Sequence, residues 1–434
     1  MGTQVRPRRR LRPHRLPADV GPAGHAHHRR PHRALERHPV ITPRVAGHAA
    51  RLPSAGLPAY VYDLAALDAH AREVRAALPE RVELYYAAKA NPAPGILTAL
   101  APHVTGYEVS SGGELAHVRA AVPGAPLAFG GPGKTEEELR LALSLGTERF
   151  HVESAGELRL LAALAGERPG GAPVDVLLRV NLPAADGELS GAALAMGGRP
   201  GPFGLDPADA EACLPLPPGG PLRLRGVHAH LASGLDAPAQ LAVAGRVVRW
   251  ARALADRHGL PLDEVNTGGG MAVDYARPEA RFDWAAYGAG LAALAAAHPG
   301  LTLRVEPGRS LTAHCGWYVT EVLDLKHSHG EAFAILRGGT HHLRTPAAKG
   351  HDQPFTVLPA EEWARPWPRP AALAEPVTLT GQLCTPKDTL ARRVPVERLR
   401  VGDRVAFAMA GAYAWNISHH DFLMHPNPTF HFLS

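Results

Sequence analysis

The sequence predicts an α/β fold class: a TIM (β/α)8 barrel followed by a mostly antiparallel β-sandwich or β-barrel domain. Three observations carry this prediction. Between Val82 and Glu306, eight short apolar runs alternate with amphipathic helical stretches, the count and spacing of a barrel. After residue 310 the runs are separated by Gly, Pro and Asp, with no long helix between them. Polar residues punctuate the C-terminal ends of six of these eight runs, where barrels place their chemistry.

In chain order, residues 1–47 carry 11 Arg against Asp19 and Glu36, a net charge of +9. The whole chain is +5, which leaves a mildly acidic body. This Arg/Pro/His-rich segment is predicted to be a disordered tail, and it has no apolar core of a secretory signal. Residues 48–80 are predicted to hold a short strand at Leu57–Tyr62, which joins the later β domain, and a helix from Leu64 to Leu78 capped by Asp63. The barrel is assigned to 81–312. Its strands are Val82–Ala88, Gly106–Val109, Leu127–Phe129, Phe150–Val152, Asp175–Val180, Leu224–His230, Glu264–Asn266 and Leu301–Val305. Residues 313–434 form the β domain, with strands Tyr318–Lys326, Ala332–Arg337, Val377–Thr380, Arg404–Ala408 and Thr429–Leu433. The Pro- and Trp-rich run 354–376 is expected to be a surface excursion.

No apolar run is long enough to span a bilayer. Cys213, Cys315 and Cys384 are few, odd in number and widely spaced. That fits a reducing, cytoplasmic compartment without a disulfide framework or zinc knuckle. No nucleic-acid or membrane partner is expected.

Lys89 ends the first run, in Tyr85-Tyr86-Ala87-Ala88-Lys89-Ala90-Asn91-Pro92. The chain has five lysines (89, 134, 326, 349 and 387) against 41 arginines. A lysine can lose its proton in a desolvated pocket and attack a carbonyl, which a guanidinium cannot. Lys89 therefore reads as a Schiff-base lysine or as a strand-end lysine reaching to water. Glu108 with Ser110 and Ser111 ends the second run, and Arg179 with Asn181 ends the fifth. His228 and His230, followed by Ser233, end the sixth. Asn266-Thr267-Gly268-Gly269-Gly270 ends the seventh and Glu306-Pro307-Gly308-Arg309 the eighth. Gly268, Gly269 and Gly270 either make a plain turn or let backbone N–H groups approach a phosphate; their spacing is not a dinucleotide fingerprint. Glu306 suits a pyridine nitrogen that it keeps protonated, or a salt bridge to an arginine such as Arg309. His228 and His230 share a strand face, from which one can stack on a flat ring. Two His with a carboxylate can also ligate a metal, but no metal site is predicted, since no further cluster has ligand spacing.

These marks together resemble the fold-type III pyridoxal-phosphate decarboxylases, the group of ornithine, arginine and diaminopimelate decarboxylases. The resemblance runs from about Leu57 to the C-terminus. It rests on Tyr86 to Asn91, Gly106 to Leu115, Gly226 to His230, Gly268 to Gly270, Glu306 to Arg309, Gly381 to Cys384 and Gly411 to Tyr413, in the family's order. It implies pyridoxal 5′-phosphate as cofactor and Lys89 as the Schiff-base lysine. Glu306 would pair with the pyridine nitrogen and His230 would stack on the ring. Ser233, Gly268 to Gly270, Arg309 and Tyr413 would hold the phosphate. Glu108 and Arg179 would support the lysine side. The resemblance also implies a homodimer with shared active sites, in which Cys384 of one subunit returns a proton in the other's site after CO2 leaves. Read alone, Cys384 is a small buried hydrophobe.

Thr385, then Pro386, Lys387 and Asp388, follow Cys384, a departure from members that read a distal amine with an aspartate at once after the cysteine. Arg344 lies where diaminopimelate decarboxylases carry a carboxylate-binding arginine, among His341, His342, Lys349 and His351. Such a density of cations and donors suits a small substrate with several carboxylates, or is an exposed basic loop. With Thr385, Lys387 and Asp388 these residues form the expected substrate side. These segments and Ala414 to Pro426 resemble the siderophore-pathway branch of the family, which includes the staphyloferrin B biosynthesis decarboxylase. That resemblance implies decarboxylation of an amino-acid group on a citryl-2,3-diaminopropionate-like intermediate. The competing expectations are a diaminopimelate decarboxylase, a decarboxylase of a carrier-protein-bound amino acid, and a non-catalytic binding protein. Intact Lys89, Glu306 and Cys384 argue against the last.

Overall fold

The computed structural model describes residues 40–168, 170–184 and 192–434. Of the predicted tail, residues 1–39 lie outside the described residues. Regular structure begins before residue 48. Thr42 caps α1 (Pro43–Arg51) by accepting from the Val45 N–H, and the helix buries Val45 and Ala49 in a cluster with Trp317 and Val319. Asp63 ends β1 (Ala59–Asp63) and caps α2 (Leu64–Ala77). Its Oδ1 accepts from the Ala66 N–H at 3.1 Å and its Oδ2 from the Thr42 hydroxyl at 2.8 Å.

Eight parallel strands then close a barrel: β2 (Val82–Ala87), β3 (Gly106–Val109), β4 (Leu127–Phe129), β5 (Arg149–Val152), β6 (Val174–Arg179), β7 (Leu222–His228), β8 (Glu264–Asn266) and β9 (Thr302–Val305). β9 returns to β2 with Leu303 opposite Val82. Around the barrel run α3 (Pro94–Leu100), α4 (Gly112–Ala121), α5 (Glu136–Ser144), α6 (Ala155–Gly166), α7 (Pro207–Ala212), α8 (Ala237–His258) and α9 (Trp284–Ala297). Ser111, Thr135, Ser154, Asp236 and Asp283 each accept the backbone N–H three residues on. Short polar side chains at the ends of the βα turns thus start the helices.

Ion pairs fill the N-terminal end of the barrel. The fully buried Arg304 lies 3.9 Å over the Tyr85 ring and bonds Glu83, and Arg149 bonds Glu264 at 2.7 Å. The opposite end is left for chemistry.

The second domain contains β10 (Gly316–Ser328), β11 (Glu331–Leu336), β12 (Phe355–Leu358), β13 (Ala371–Thr380), β14 (Thr389–Arg400), β15 (Arg404–Phe407) and β16 (Thr429–Leu433). The sheet order is β12-β15-β10-β11-β13-β14, and β1 pairs antiparallel with β10 and parallel with β16. The 354–376 run is corrected: it contributes β12, with Phe355 opposite Phe407, and the start of β13. β14 is a strand that sequence reasoning missed. No helix among the described residues is long and apolar enough to cross a membrane.

Candidate active site

Lys89 sits in the 3-10 turn Ala88–Ala90 directly after β2. Its Nζ lies 2.6 Å from Glu108 Oε2 and donates to Ser110 Oγ at 3.3 Å, and that hydroxyl donates to Glu108 Oε1 at 2.9 Å. The Glu108 side chain is 5% exposed and that of Lys89 45%, so a buried carboxylate holds a lysine standing in the open mouth. Burial opposes the Lys89 charge, but the Glu108 carboxylate, with Tyr413 and Glu306, outweighs it and raises the pKa above the usual lysine range. In the free chain Lys89 is therefore an ammonium with a base in contact. The second domain grips the same turn. The Tyr413 N–H donates to Ala90 O at 2.7 Å, Asn91 Nδ2 to Gly411 O at 2.9 Å, and Asn416 Nδ2 to Lys89 O at 2.6 Å.

Glu306 follows β9 and is 7% exposed. Asn266, at the end of β8, donates to its Oε1 at 2.7 Å. His228, at the end of β7, brings Nε2 within 3.3 Å of Oε2, and His151 on β5 brings Nε2 within 3.7 Å of Oε1. The two imidazoles are stacked, with centroids 4.2 Å apart and planes 11° apart. Among the described residues no lysine or arginine pairs with Glu306, and Arg309 turns to Tyr275 instead. Burial opposes the Glu306 charge, yet the two histidines and Asn266 hold its carboxyl well below the usual range.

The sequence pairs His228 with His230; the structure pairs it with His151. Sequence reasoning missed His151, although its alternation with Glu153 at a strand end was a usable signal. The ligating atoms of His151, His228 and Glu306 lie within 4.8 Å of one another, the donor set of a metal site. Metal-bound imidazoles nearly always donate their other N–H to a second group. Among the described residues Nδ1 of both rings lacks an acceptor, and the Asn266 amide donates to Glu306 Oε1 and reaches His151 Nε2 at 3.4 Å, so the set reads as a buried polar cluster rather than a metal centre.

Gly268 and Gly270 have φ of +70° and +99°. A Cβ on Gly269 would lie 2.2 Å from Glu306 O, and one on Gly268 2.8 Å from His230 Cβ. Only glycines fit this close approach. The Gly268 N–H is taken by Asn266 Oδ1 at 2.9 Å, and that of Gly269 reaches His230 Nδ1 at 3.3 Å. His230 Nε2 lies 3.5 Å from Ser233 Oγ. Burial, with the Arg179 and Lys89 charges, pushes His230 down to about 3, so the ring is neutral and can offer a flat face.

Arg309 begins α10 (Arg309–Thr312), donates to Tyr275 OH at 2.8 Å and lies 4.5 Å from the Tyr413 ring centroid. Lys349 ends α11 (Thr345–Lys349); its side chain reaches the surface, but the protein packed around its ammonium together with the Arg309 charge pushes it down to about 8. Neither cation has a carboxylate partner among the described residues.

Arg179 requires correction. Its Nη1 lies 2.5 Å from Glu153 Oε1, and Glu153 Oε2 accepts from the Gly204 N–H at 3.1 Å. Arg179 thus anchors the 203–204 loop through Glu153, a residue the sequence reading overlooked, and among the described residues it bonds nothing on the lysine side.

On the expected substrate side, Arg344, Lys349, Cys384 and Lys387 are exposed and Thr385 is half-buried. Cys384 is therefore not a buried hydrophobe. Asp388 is corrected. It is buried, with Oδ1 accepting from Thr340 N–H (2.6 Å) and Oγ (2.8 Å) and Oδ2 from the Leu383 N–H at 2.8 Å. It clasps the 338–343 and 381–388 loops together. His341 and His342 are also corrected: both are fully buried. Burial and their histidine neighbours push them to about 4 and 3, so they are neutral core residues rather than cationic ligands.

One barrel mouth therefore offers an amine, a buried carboxylate lacking a cation, a flat neutral ring, and a cation lacking an anion beside a glycine turn. These residues fit a phosphorylated pyridine aldehyde: the unpaired Arg309 for its phosphate, Glu306 for its ring nitrogen and Lys89 for its carbonyl carbon. The family model described as pyridoxal-dependent decarboxylase, pyridoxal binding domain, matches residues 64–313. The 2-[(L-alanin-3-ylcarbamoyl)methyl]-2-hydroxybutanedioate decarboxylase of Staphylococcus aureus is 40% identical over 382 residues, 86% of this chain and 94% of the relative. The L-glutamyl-[BtrI acyl-carrier protein] decarboxylase of Niallia circulans is 31% identical over 383 residues, 86% of this chain and 87% of the relative. Among solved structures, a Helicobacter pylori diaminopimelate decarboxylase complexed with L-lysine superposes with a TM-score of 0.75 at 26% identity, covering 87% of this chain and 91% of that one. A match over more than half the chain, and close identity along nearly the whole of a known decarboxylase, place this chain in the family of pyridoxal-phosphate-dependent amino-acid decarboxylases.

Proposed function

We propose that the chain removes CO2 from an amino-acid group carried on a hydroxy-polycarboxylate amide, a citryl-2,3-diaminopropionate-like siderophore intermediate. The observation that carries this reading is the set of exposed cations on the substrate side. Arg344, Lys349 and Lys387 stand around the expected substrate path without an ion pair among the described residues. Such a set suits an anion with several carboxylates, because each cation lacks a partner that the substrate can supply. The name of the Staphylococcus aureus relative describes a substrate of this class, an alanin-3-yl amide on a hydroxybutanedioate.

The bound cofactor supplies the electron sink for the pair left behind when CO2 departs. The chain's own residues do the rest. Lys89 would hold the carbonyl carbon of the cofactor, with Glu108 placed to take the lysine's proton. Glu306 would keep a proton on the ring nitrogen, and His230 would offer its flat face to the ring. Ser233, the Gly268 to Gly270 turn, Arg309 and Tyr413 would hold the phosphate. Arg344 and Lys349 draw in the remote carboxylates, and remote binding energy then orients the α-carboxylate for cleavage. Cys384 of a partner subunit returns a proton to the product carbon, so the working unit is a homodimer, and its reduced thiol suits the cytoplasm.

The test is CO2 release by purified protein with pyridoxal phosphate from a panel of citryl-diaminopropionate, meso-diaminopimelate, ornithine, lysine and a carrier-bound glutamate. Turnover of the citryl amide above the others is expected. Preference for diaminopimelate, or a requirement for the acylated carrier, overturns the substrate assignment.

A further inference from the structure

Arg309 is held differently from the arginines of the barrel strands. Arg149, Arg179 and Arg304 are each bound by a carboxylate. Arg309 has no carboxylate among the described residues; its acceptor is the Tyr275 hydroxyl, 2.8 Å from Nη1. A carboxylate orients a guanidinium and also neutralises it. A hydroxyl orients it and leaves the charge for an anion from outside. A guanidinium carries its five N–H donors in one rigid fork, so fixing Nη1 sets the direction of the others.

Tyr275 is itself held from two sides. It is buried, on the loop that follows β8 and the glycine turn. The neighbouring Asp274 Oδ1 accepts from the Ala276 N–H at 2.9 Å and the Arg277 N–H at 3.2 Å, which fixes the backbone around Tyr275. Its ring stacks on His351, with centroids 4.5 Å apart and planes 28° apart. His351 Nε2 lies 3.1 Å from Gln353 Oε1, and the buried Gln353 amide donates to Ala408 O at 2.7 Å.

These contacts tie α11 to Arg309 at both ends. At its start the Thr345 hydroxyl donates to Tyr413 O at 2.6 Å, and the Tyr413 ring centroid lies 4.5 Å from the guanidinium. Just past its end, His351 lies on Tyr275. Arg344 precedes this helix and Lys349 ends it. The cations of the substrate side are thus carried on an element braced by the two tyrosines that flank Arg309.

We propose that Tyr275 is a positioning residue with two parts: its hydroxyl aims Arg309 at the cofactor phosphate, and its ring, through His351, holds α11 so that Arg344 and Lys349 meet the substrate carboxylates. This rests on the reading of Arg309 as a phosphate ligand and of the substrate as a polycarboxylate.

The experiment separates the two parts. Tyr275→Phe keeps the ring and the stack and removes only the hydroxyl; His351→Ala removes the stack. The affinities of the cofactor-free chain for pyridoxal phosphate and for pyridoxal, which lacks the phosphate, are read from the visible band. The affinity of the loaded enzyme for citrate is read by titration calorimetry. In Tyr275→Phe the preference for pyridoxal phosphate over pyridoxal falls about tenfold, the loss of one hydrogen bond to a charged group. Melting temperature and citrate affinity stay as in wild type. In His351→Ala the citrate affinity falls about fivefold or more, with the preference within about twofold of wild type. An unchanged preference in Tyr275→Phe overturns the first part. A Tyr275→Phe chain that melts well below wild type marks a core tyrosine and overturns it too. Citrate affinity unchanged in His351→Ala overturns the second part, and wild type that binds no citrate removes that part together with the polycarboxylate reading. Arg309→Gln tests the phosphate reading itself: the preference falls at least as far as in Tyr275→Phe. If it does not fall, the reading of Arg309 and the proposal go together. If it falls while Tyr275→Phe is unchanged, Arg309 keeps the phosphate and only the part given to Tyr275 is lost.

Discussion

Lys89 Nζ and Glu108 Oε2 lie 2.6 Å apart across the ends of neighbouring barrel strands. The pair keeps the lysine charged until something displaces its proton. Lys89→Ala is expected to lose the visible absorbance of bound cofactor and at least about a thousandfold in turnover. Glu108→Gln removes the largest of the groups that oppose the effect of burial on Lys89 and lowers its pKa. More neutral amine is then present at pH 7, and the cofactor-free variant is expected to capture pyridoxal phosphate severalfold faster, measured as the rate of rise of the visible band.

Glu306→Gln replaces the proposed charged partner of the ring nitrogen with a neutral amide of the same size. The expected result is a kcat lower by about a hundredfold or more, with KM within a few-fold, because the lost interaction matters mainly in the transition state. Steady-state kinetics on the preferred substrate checks it.

Lys349 lies near 8 in the free chain because of the protein packed around its ammonium and the charge of Arg309. It is charged below that value and neutral above it. The affinity of the cofactor-free chain for a polycarboxylate such as citrate is therefore expected to fall as pH rises through about 8. Lys349→Gln flattens that dependence, which titration calorimetry between pH 7 and 9 reads directly.

His341 and His342 are buried and neutral, near 4 and 3, against about 6.5 in an unfolded chain. The unfolded state gains protons first on acidification, so their contribution to stability is full above pH 6.5 and is lost as pH falls towards 4. Each contributes a loss on the order of 2 kcal/mol between pH 6.5 and 5. The expected observation is a melting temperature that drops over this range and drops less in His341→Asn.

Exposed Cys384 bonds nothing in its own barrel mouth among the described residues. If it serves a partner's site, Lys89→Ala and Cys384→Ala subunits, each poorly active alone, restore about a quarter of wild-type turnover when mixed and reassociated. Absence of restored activity in mixtures shown to contain heterodimers counts against the shared site.

The barrel was legible because its strands are short apolar runs ended by polar residues, and each predicted run lies on an observed strand to within two residues. The β domain was less so. β14 breaks its alternation at Arg392 and Arg393, where Arg393 has φ of +48°, and Pro395 faces Pro376 across the ladder. Bulges and prolines erase the period-two signal that identifies a strand. α1 was missed because its residues are small or basic, although Thr42-Pro43 is a readable start. In the site, Lys89, Glu108, Glu306 and Arg309 were visible as strand-end polar residues. The neutrality of His341 and His342 and the clasp made by Asp388 follow from burial and loop geometry, which no local pattern encodes.

The three hydrogen bonds that join Tyr413, Gly411 and Asn416 to residues 89–91 bear on recombining this protein with its relatives. The seam between the lobes runs through the reactive turn itself, so a crossover near residue 313 would mate Lys89 with a foreign grip. Chimeras intended to exchange substrate choice while keeping turnover are better cut so that 88–91 and 410–418 travel together, with only 338–388 exchanged.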